Sequence, residues 1–366
     1  MAQEALYNKY RPKTFDQVIG QEHITKTLSN QVKSGNISHA YLFTGSRGTG
    51  KTSTARIFAK AINCLEPVDG SPCGKCSACQ NVENANVDII EIDAASNNRV
   101  DEIREIRERV KFAPVNLKYK VYIIDEVHML TDSAFNALLK TLEEPPKHVV
   151  FILGTTEVHK LPATILSRCI RFDFKLVSVP DLSNLLSNIF EKEKISANAE
   201  AIKLIANAGD GCVRDMLSIA DCVSAFCANN TITAEKVNSV LGGADDENLL
   251  KYLGDLFDGN IGECLIDINN FCMQGTNLLM LIKDLSVLVR NLLIIKTCPN
   301  YGDLVVATNE VLTKMEELAK KTSEEKLINA MRCFGSIEPQ LRFALSPRNL
   351  LENASLEIIT GVQKKN

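Results

Sequence analysis

HAYLFTGSRGTGKTSTARIFAKAI, residues 39–62, runs from a short apolar strand pattern through a glycine-rich turn into a helical pattern. Inside it, Gly45-Ser46-Arg47-Gly48-Thr49-Gly50-Lys51-Thr52 fits G-x-x-x-x-G-K-[ST] without a mismatch, and Ser53 continues the helix. The glycines let the backbone curl so that successive N–H groups face phosphate oxygens. The helix that follows adds the positive end of its dipole at the same spot. Lys51 is placed to reach the outer phosphates and the Thr52 hydroxyl to ligate Mg²⁺. A strand before and a helix after are the context this motif requires, so the loop implies a nucleoside triphosphate and an α/β fold.

Working outward, VDIIEID (87–93), KVYIID (120–125) and VVFILGT (149–155) repeat the short branched apolar pattern of HAYLFT (39–44), with helical patterns between. Strands this apolar are buried on both faces, the signature of a parallel sheet with crossover helices over residues 1–178. VYIIDE supplies the acidic half of the site: Asp125 to hold Mg²⁺ through its waters, Glu126 to orient and deprotonate a water. His128, close by, reads as structural. Thr155 and Thr156 end the fourth strand pattern, where they either read the γ-phosphate or merely cap the strand.

Beyond FDFKLV the strand signals thin out and helical spacing takes over. A small helical domain is expected over 179–242 and a second over 243–366, with LGGADDE as the break. Arg168 in LPATILSRC is either a finger serving a neighbouring subunit or half of a surface salt bridge. Arg214 in GDGCVRDMLSIAD either swings onto a nucleotide or pairs with Asp215 or Asp210.

The 366 residues carry a formal charge of −4, which excludes blanket affinity for nucleic acid. No apolar run is long enough to span a membrane, and MAQEALYNKYRPK lacks the apolar middle of an export signal. With twelve cysteines, these features imply a reducing, cytoplasmic setting without a disulfide framework. Four of the twelve fall within residues 64–79 as Cys64-x₈-Cys73-x₂-Cys76-x₂-Cys79. Four thiolates make a closed tetrahedral zinc site, structural because no position stays open for water. An iron–sulfur cluster is the competing reading, although the C-x₃-C-P continuation is absent.

YRPKTFDQVIGQEH, GSRGTGKTS, the cysteine knuckle, IIEIDAAS, YIIDEVHMLTDSAFNALLKTLEEPP, LPATILSRC and GxxRDxLS occur in this order. Together they resemble the γ/τ subunits of the bacterial DNA polymerase III clamp loader, a family of AAA+ ATPases. The resemblance implies a RecA-like ATPase domain with a zinc knuckle, a helical lid and a C-terminal helical collar. It places Tyr10, Arg11 and Pro12 around adenine, Thr155 or Thr156 as sensor 1, Arg168 as a trans-acting finger and Arg214 as sensor 2. It implies ATP, Mg²⁺ and Zn²⁺ as ligands. The partners implied are δ and δ′ subunits, further copies of the chain, the β sliding clamp and primer–template DNA. The helix predicted over AASNNRVDEIREIRERVKF would offer Asn98 and Arg99 to backbone phosphate and turn Ile103, Ile106 and Val110 inward. A branch-migration motor and an ATP-binding scaffold are the alternative readings.

Overall fold

The computed structural model describes residues 4–361 apart from 84–86, 97–105, 107, 229, 242–245, 303, 306–308 and 342–343. Asn98, Arg99 and Ile103 lie outside the described residues. The chain divides into two compact units, Met1–Thr233 and Ala234–Asn366.

The first unit is built on a five-stranded sheet in the order β2-β3-β4-β1-β5. Its strands are β1 (Ala40–Thr44), β2 (Ile89–Asp93), β3 (Lys120–Asp125), β4 (Val149–Thr155) and β5 (Ile170–Asp173), and every pairing is parallel. Tyr41, Phe43, Val121, Ile123, Val150 and Ile152 turn to one face, against Ile24, Leu28 and Phe58 of helices Glu22–Ser34 and Lys51–Asn63. Leu42, Tyr122, Ile124, Phe151 and Leu153 turn to the other, against Phe135, Leu138 and Leu142 of helix Asp132–Glu143. Side chains alternate faces along a strand, so a strand covered on both sides must be apolar throughout. That is why β1, β3 and β4 stand out in the sequence; β2 reads as apolar there too, but it is an edge strand and none of its residues is fully buried, because one side of it has no neighbouring strand among the described residues. The edge strand β5 buries only Phe172 among its four residues, and no apolar run announces it.

Register decides where chemistry can gather. Asp93 stands opposite Asp125, Thr155 opposite Thr44, and Thr44 opposite Asp173. The strands therefore deliver their last residues to one common edge, where ligands of open parallel sheets collect. Ile106 and Val110 pack into the core beside the sheet.

Three helices, Val179–Glu193, Ala199–Ala208 and Val213–Cys227, complete the unit. Each opens on a side-chain cap: Ser178, Asn198 and Cys212 accept from the amides of Asp181, Ala201 and Asp215. A short N-terminal helix, Leu6–Lys9, docks on them through the Leu6 amide, which donates to Asp221 Oδ2 at 2.9 Å.

The second unit is helical among its described residues. Helix Leu278–Thr297 runs through a core that includes Tyr252, Phe271 and Phe334. The interior hydroxyl of Tyr252 is paired with Ser355 Oγ at 2.6 Å. No helix among the described residues is long and apolar enough to cross a membrane.

One buried carboxylate holds a loop to the sheet. Asp88 is inaccessible to solvent and accepts the amides of Val115, Asn116 and Leu117 at 2.8, 2.7 and 3.1 Å. Asp88→Ala orphans three donors together, an expected loss of about 3 kcal/mol. Urea unfolding followed by circular dichroism would read this as a lowered midpoint; an unmoved midpoint would show that the loop finds other acceptors.

Candidate nucleotide site and thiol cluster

The loop between β1 and helix Lys51–Asn63 has the backbone its glycines permit. Gly45, Gly48 and Gly50 have φ of 140°, 73° and 102°. A Cβ on Gly45 would lie 2.5 Å from the Phe174 carbonyl oxygen, so only glycine fits there. Gly50 caps the helix with no side-chain bond, which leaves the first-turn amides free to meet an anion. Lys51 Nζ lies over the loop and donates to the carbonyls of Gly45 and Ser46, both at 2.8 Å. Burial pulls its pKa down, while Glu126 and Asp125 oppose that shift.

The acidic residues close the site from β3. Thr52 donates through Oγ1 to Asp125 Oδ2 at 2.5 Å, which joins the loop helix to the strand end. Gly154 on β4 makes room for this carboxylate, because a Cβ there would lie 2.7 Å from Asp125 Oδ1. Glu126 has φ 47°, an uncommon left-handed conformation for a residue with a side chain. Its amide donates to Asp125 Oδ1 at 3.0 Å. The Glu126 carboxylate accepts at Oε2 from the Thr156 hydroxyl (3.0 Å) and the Thr156 amide (3.3 Å).

The two threonines therefore part ways. Thr155 is fully buried; its Oγ1 lies 3.0 Å from His128 Nδ1 and accepts the Glu157 amide at 3.0 Å. Thr156 is the one that touches the acidic residue.

These groups surround a cavity of about 480 Å³. Its lining includes Arg47, Gly48, Thr49, Gly50, Lys51, Thr52, Ser53, Asp125 and Glu126. Tyr10, Arg11, Pro12, Val18 and Ile19 line it from the N-terminal segment, and Leu185, Val213, Arg214 and Leu217 from the three-helix lid. A mixed apolar and cationic wall of this size suits a base at one end and phosphates at the other. Asp93, at the end of β2, also faces the cavity, a member the motif reading did not include. Its signal was IIEID, one more strand ending in an acid at the same edge.

The lid reaches the site through the N-terminal segment. Tyr10 donates its hydroxyl to Glu193, Lys9 pairs with the same carboxylate at 2.5 Å, and the Arg214 guanidinium lies 5.1 Å from the centre of the Tyr7 ring. Cys212 presses on the phosphate loop so closely that a Cβ on Gly48 would lie 2.0 Å from its sulfur. Arg214 thus belongs to the cavity, and no ion pair with Asp210 or Asp215 is among its described contacts. Arg168 does not line the cavity. It donates to Glu143 Oε1 and to the Thr164 carbonyl, both at 2.8 Å, with a third of its side chain exposed. A pair this exposed is worth about 0–1 kcal/mol, weak enough to yield to a phosphate.

The four clustered cysteines also converge. Cys64, Cys73, Cys76 and Cys79 bring their sulfurs within 4.8 Å of one another, with Cys64–Cys76 at 3.9 Å and Cys73–Cys79 at 4.0 Å. Four sulfurs at about 2.3 Å from a tetrahedral ion stand about 3.8 Å apart, so the donor set fits such an ion. Burial pushes the Cys79 and Cys64 thiols up. At Cys76 burial acts the same way but is outweighed by amide donation from Leu65 and Cys79 and by neighbouring thiols, which take it down to about 6. None of the twelve cysteines is disulfide-bonded.

Sheet order, phosphate loop, acidic strand end and helical lid define a P-loop nucleotide-binding domain of the AAA+ class. The solved branch-migration motor RuvB of Thermotoga maritima shares this fold, with a TM-score of 0.50 and 22% identity over 66% of this chain and 78% of that one. Residues 20–178 match the family described as DNA polymerase III, delta subunit, and residues 181–229 the clamp-loader ATPase lid domain. Residues 232–352 match domain III of the DNA polymerase III gamma and tau subunits. The chain is 44% identical to DNA polymerase III subunit tau of Bacillus subtilis, covering 98% of this chain and 63% of that one. It is 40% identical to the tau subunit of Escherichia coli over 87% of this chain and 50% of that one. It is 35% identical to DNA polymerase III subunit gamma of Buchnera aphidicola over the full length of both. The chain belongs to the DNA polymerase III gamma/tau family, and it spans between half and two-thirds of the two tau relatives.

Cys76→Ser removes one of four convergent donors. Metal content by atomic emission should fall from about one ion per chain to a small fraction of that, with a lower melting temperature. A variant that kept its metal would take Cys76 out of the ligand set.

Proposed function

We propose that this chain is an ATP-hydrolysing motor subunit of a bacterial DNA polymerase III clamp loader. In this reading it uses ATP binding and hydrolysis to open the β sliding clamp and load it onto primed DNA. The observation that carries the reading is the complete set Lys51, Thr52, Asp125 and Glu126 around one cavity, with Thr156 bonded to one oxygen of Glu126.

The loop amides and Lys51 hold the phosphates. Thr52 Oγ1 and Asp125 Oδ2 are the adjacent oxygens that would hold Mg²⁺, which when bound neutralises charge on the outer phosphates. Glu126 Oε1 takes a proton from the attacking water as its oxygen bonds the γ-phosphorus and the bond to the ADP oxygen breaks. Tyr10, Arg11 and Pro12 flank the base. Thr156 takes the sensor 1 place and Arg214, carried in by the lid, that of sensor 2. Arg168, outside its own cavity, serves the site of a neighbouring subunit, and Glu143 holds it meanwhile.

Cys64, Cys73, Cys76 and Cys79 would hold Zn²⁺ as a closed structural site beside the motor. Residues 1–178 act as the ATPase domain, 179–242 as lid and 243–366 as the collar that joins δ, δ′ and further copies of the chain. Asn98 and Arg99 contact the DNA backbone. The protein works in the cytoplasm.

Steady-state ATP hydrolysis by the full chain with δ and δ′, with and without clamp and primed DNA, tests the reading. Stimulation only when clamp and primed DNA are both present is expected. Indifference to them points to another AAA+ motor, and absence of hydrolysis to a scaffold. Thr156→Val should lower kcat by about tenfold or more, roughly 1.4 kcal/mol, while ATP affinity stays within about twofold. An unchanged kcat would separate Thr156 from the chemistry.

A further inference from the structure

His128 has no part in the roles assigned above, yet its side chain is only 5% exposed and its ring is edged by polar groups. It sits in the 3₁₀ turn Val127–Met129, which begins immediately after Glu126. Val127 and Leu130, on either side of it, are buried in the core and anchor the turn. Nδ1 lies 3.0 Å from Thr155 Oγ1 and 3.4 Å from Glu126 Oε2. Nε2 lies 3.4 Å from Glu157 Oε1. Glu157 is in turn paired with Lys160 and lies near His159 on the outer side.

A histidine that merely filled space would turn its ring nitrogens to one backbone partner and its carbons to the core. Here both nitrogens face side-chain oxygens from two strand ends, and one of those oxygens belongs to Glu126. Glutamate has three rotatable side-chain bonds, and a base that is to meet one water must be prevented from swinging. Thr156 restrains Oε2 of Glu126 from β4. The edge of the imidazole meets the same oxygen, and none of these contacts involves Oε1.

We infer that His128 is a positioning residue for ATP hydrolysis: its imidazole, set by Thr155 and Glu157, fixes the Glu126 carboxylate so that Oε1 faces the attacking water. The inference rests on the reading of Glu126 as general base. It also gives Thr155 a task distinct from that of Thr156, since Thr155 orients the ring and Thr156 touches the carboxylate. His128 itself touches neither nucleotide nor water.

The test is ATP hydrolysis by the full chain together with its clamp-loader partners, comparing parent, His128→Leu and His128→Asn. Leucine keeps the approximate bulk without polar atoms, whereas asparagine places an amide near Nδ1. His128→Leu should lower kcat by about tenfold or more with the dissociation constant of an ATP analogue within about twofold of the parent. His128→Asn should recover kcat to within about threefold of the parent. Adding His128→Leu to Glu126→Gln should cost nothing further, because the carboxylate it positions is already lost. Full additivity in that pair, a leucine variant as fast as the parent, or an asparagine variant no better than leucine would overturn the inference. A leucine variant that lost nucleotide binding along with hydrolysis would place the ring in folding and overturn it equally. Failure of the parent to hydrolyse ATP would instead remove the reading of Glu126, and this inference with it.

Discussion

The hydrogen bond from Thr52 to Asp125 joins the first turn of the loop helix to the end of β3, across the end of β4. It can form only because β4 lies between β1 and β3 and offers Gly154, a residue without a Cβ, at the crossing point. The rest of the site is arranged around this contact. The glycine loop lies on one side of it and Asp125 on the other, and Glu126 follows one residue later on a backbone held in the left-handed region. That conformation costs of order 1 kcal/mol, and the Glu126 amide, donating to Asp125 Oδ1, helps hold it.

A parallel sheet buried on both faces is what makes such an arrangement dependable. The inner strands are packed on both faces, so a register shift would carry their polar end residues into the core and misfit Tyr41, Tyr122 and Phe151 against the helices that cover them. With register secured, the strand ends stay level and Asp93, Asp125 and Thr155 share one edge. The lid is held to that edge by contacts of a different kind. Tyr10, Lys9 and Leu6 bond to Glu193 and Asp221, and Cys212 packs on Gly48. These are polar and van der Waals contacts between a few side chains beside the cavity, unlike the continuous apolar packing of the sheet.

The thiol cluster follows a separate logic. Its four cysteines lie within sixteen residues, so their sulfurs converge through local turns of one loop without help from the sheet. Only one of the four, Cys79, is buried; the other three are half-buried. Around them Leu65 and Val68 are exposed, so the loop contributes little core of its own. The loop is tied to helix Glu22–Ser34 by Ser29, which donates to the Asp69 carbonyl at 2.5 Å, and by Lys33, which pairs with the Asp69 carboxylate.

What the sequence determined by itself is what short spacing controls. The phosphate loop, the acidic pair and the cysteine ligands are local patterns whose geometry follows from backbone turns, and the inner strands are legible because burial on both faces demands unbroken apolar runs. Strand β5 is not legible because IRFD alternates apolar with charged residues and buries only Phe172, whereas β2, the other edge, still carries three isoleucines. Only the tertiary structure separated Thr155 from Thr156, since adjacent residues at a strand end point in different directions and their partners, His128 and Glu126, come from another strand. Only it brought Arg214 to the cavity and left Arg168 outside, because each depends on how a helix packs rather than on its own neighbours in the chain. His128 reads as structural in the sequence for the same reason: its three polar partners lie on two strand ends that meet only when the sheet is assembled.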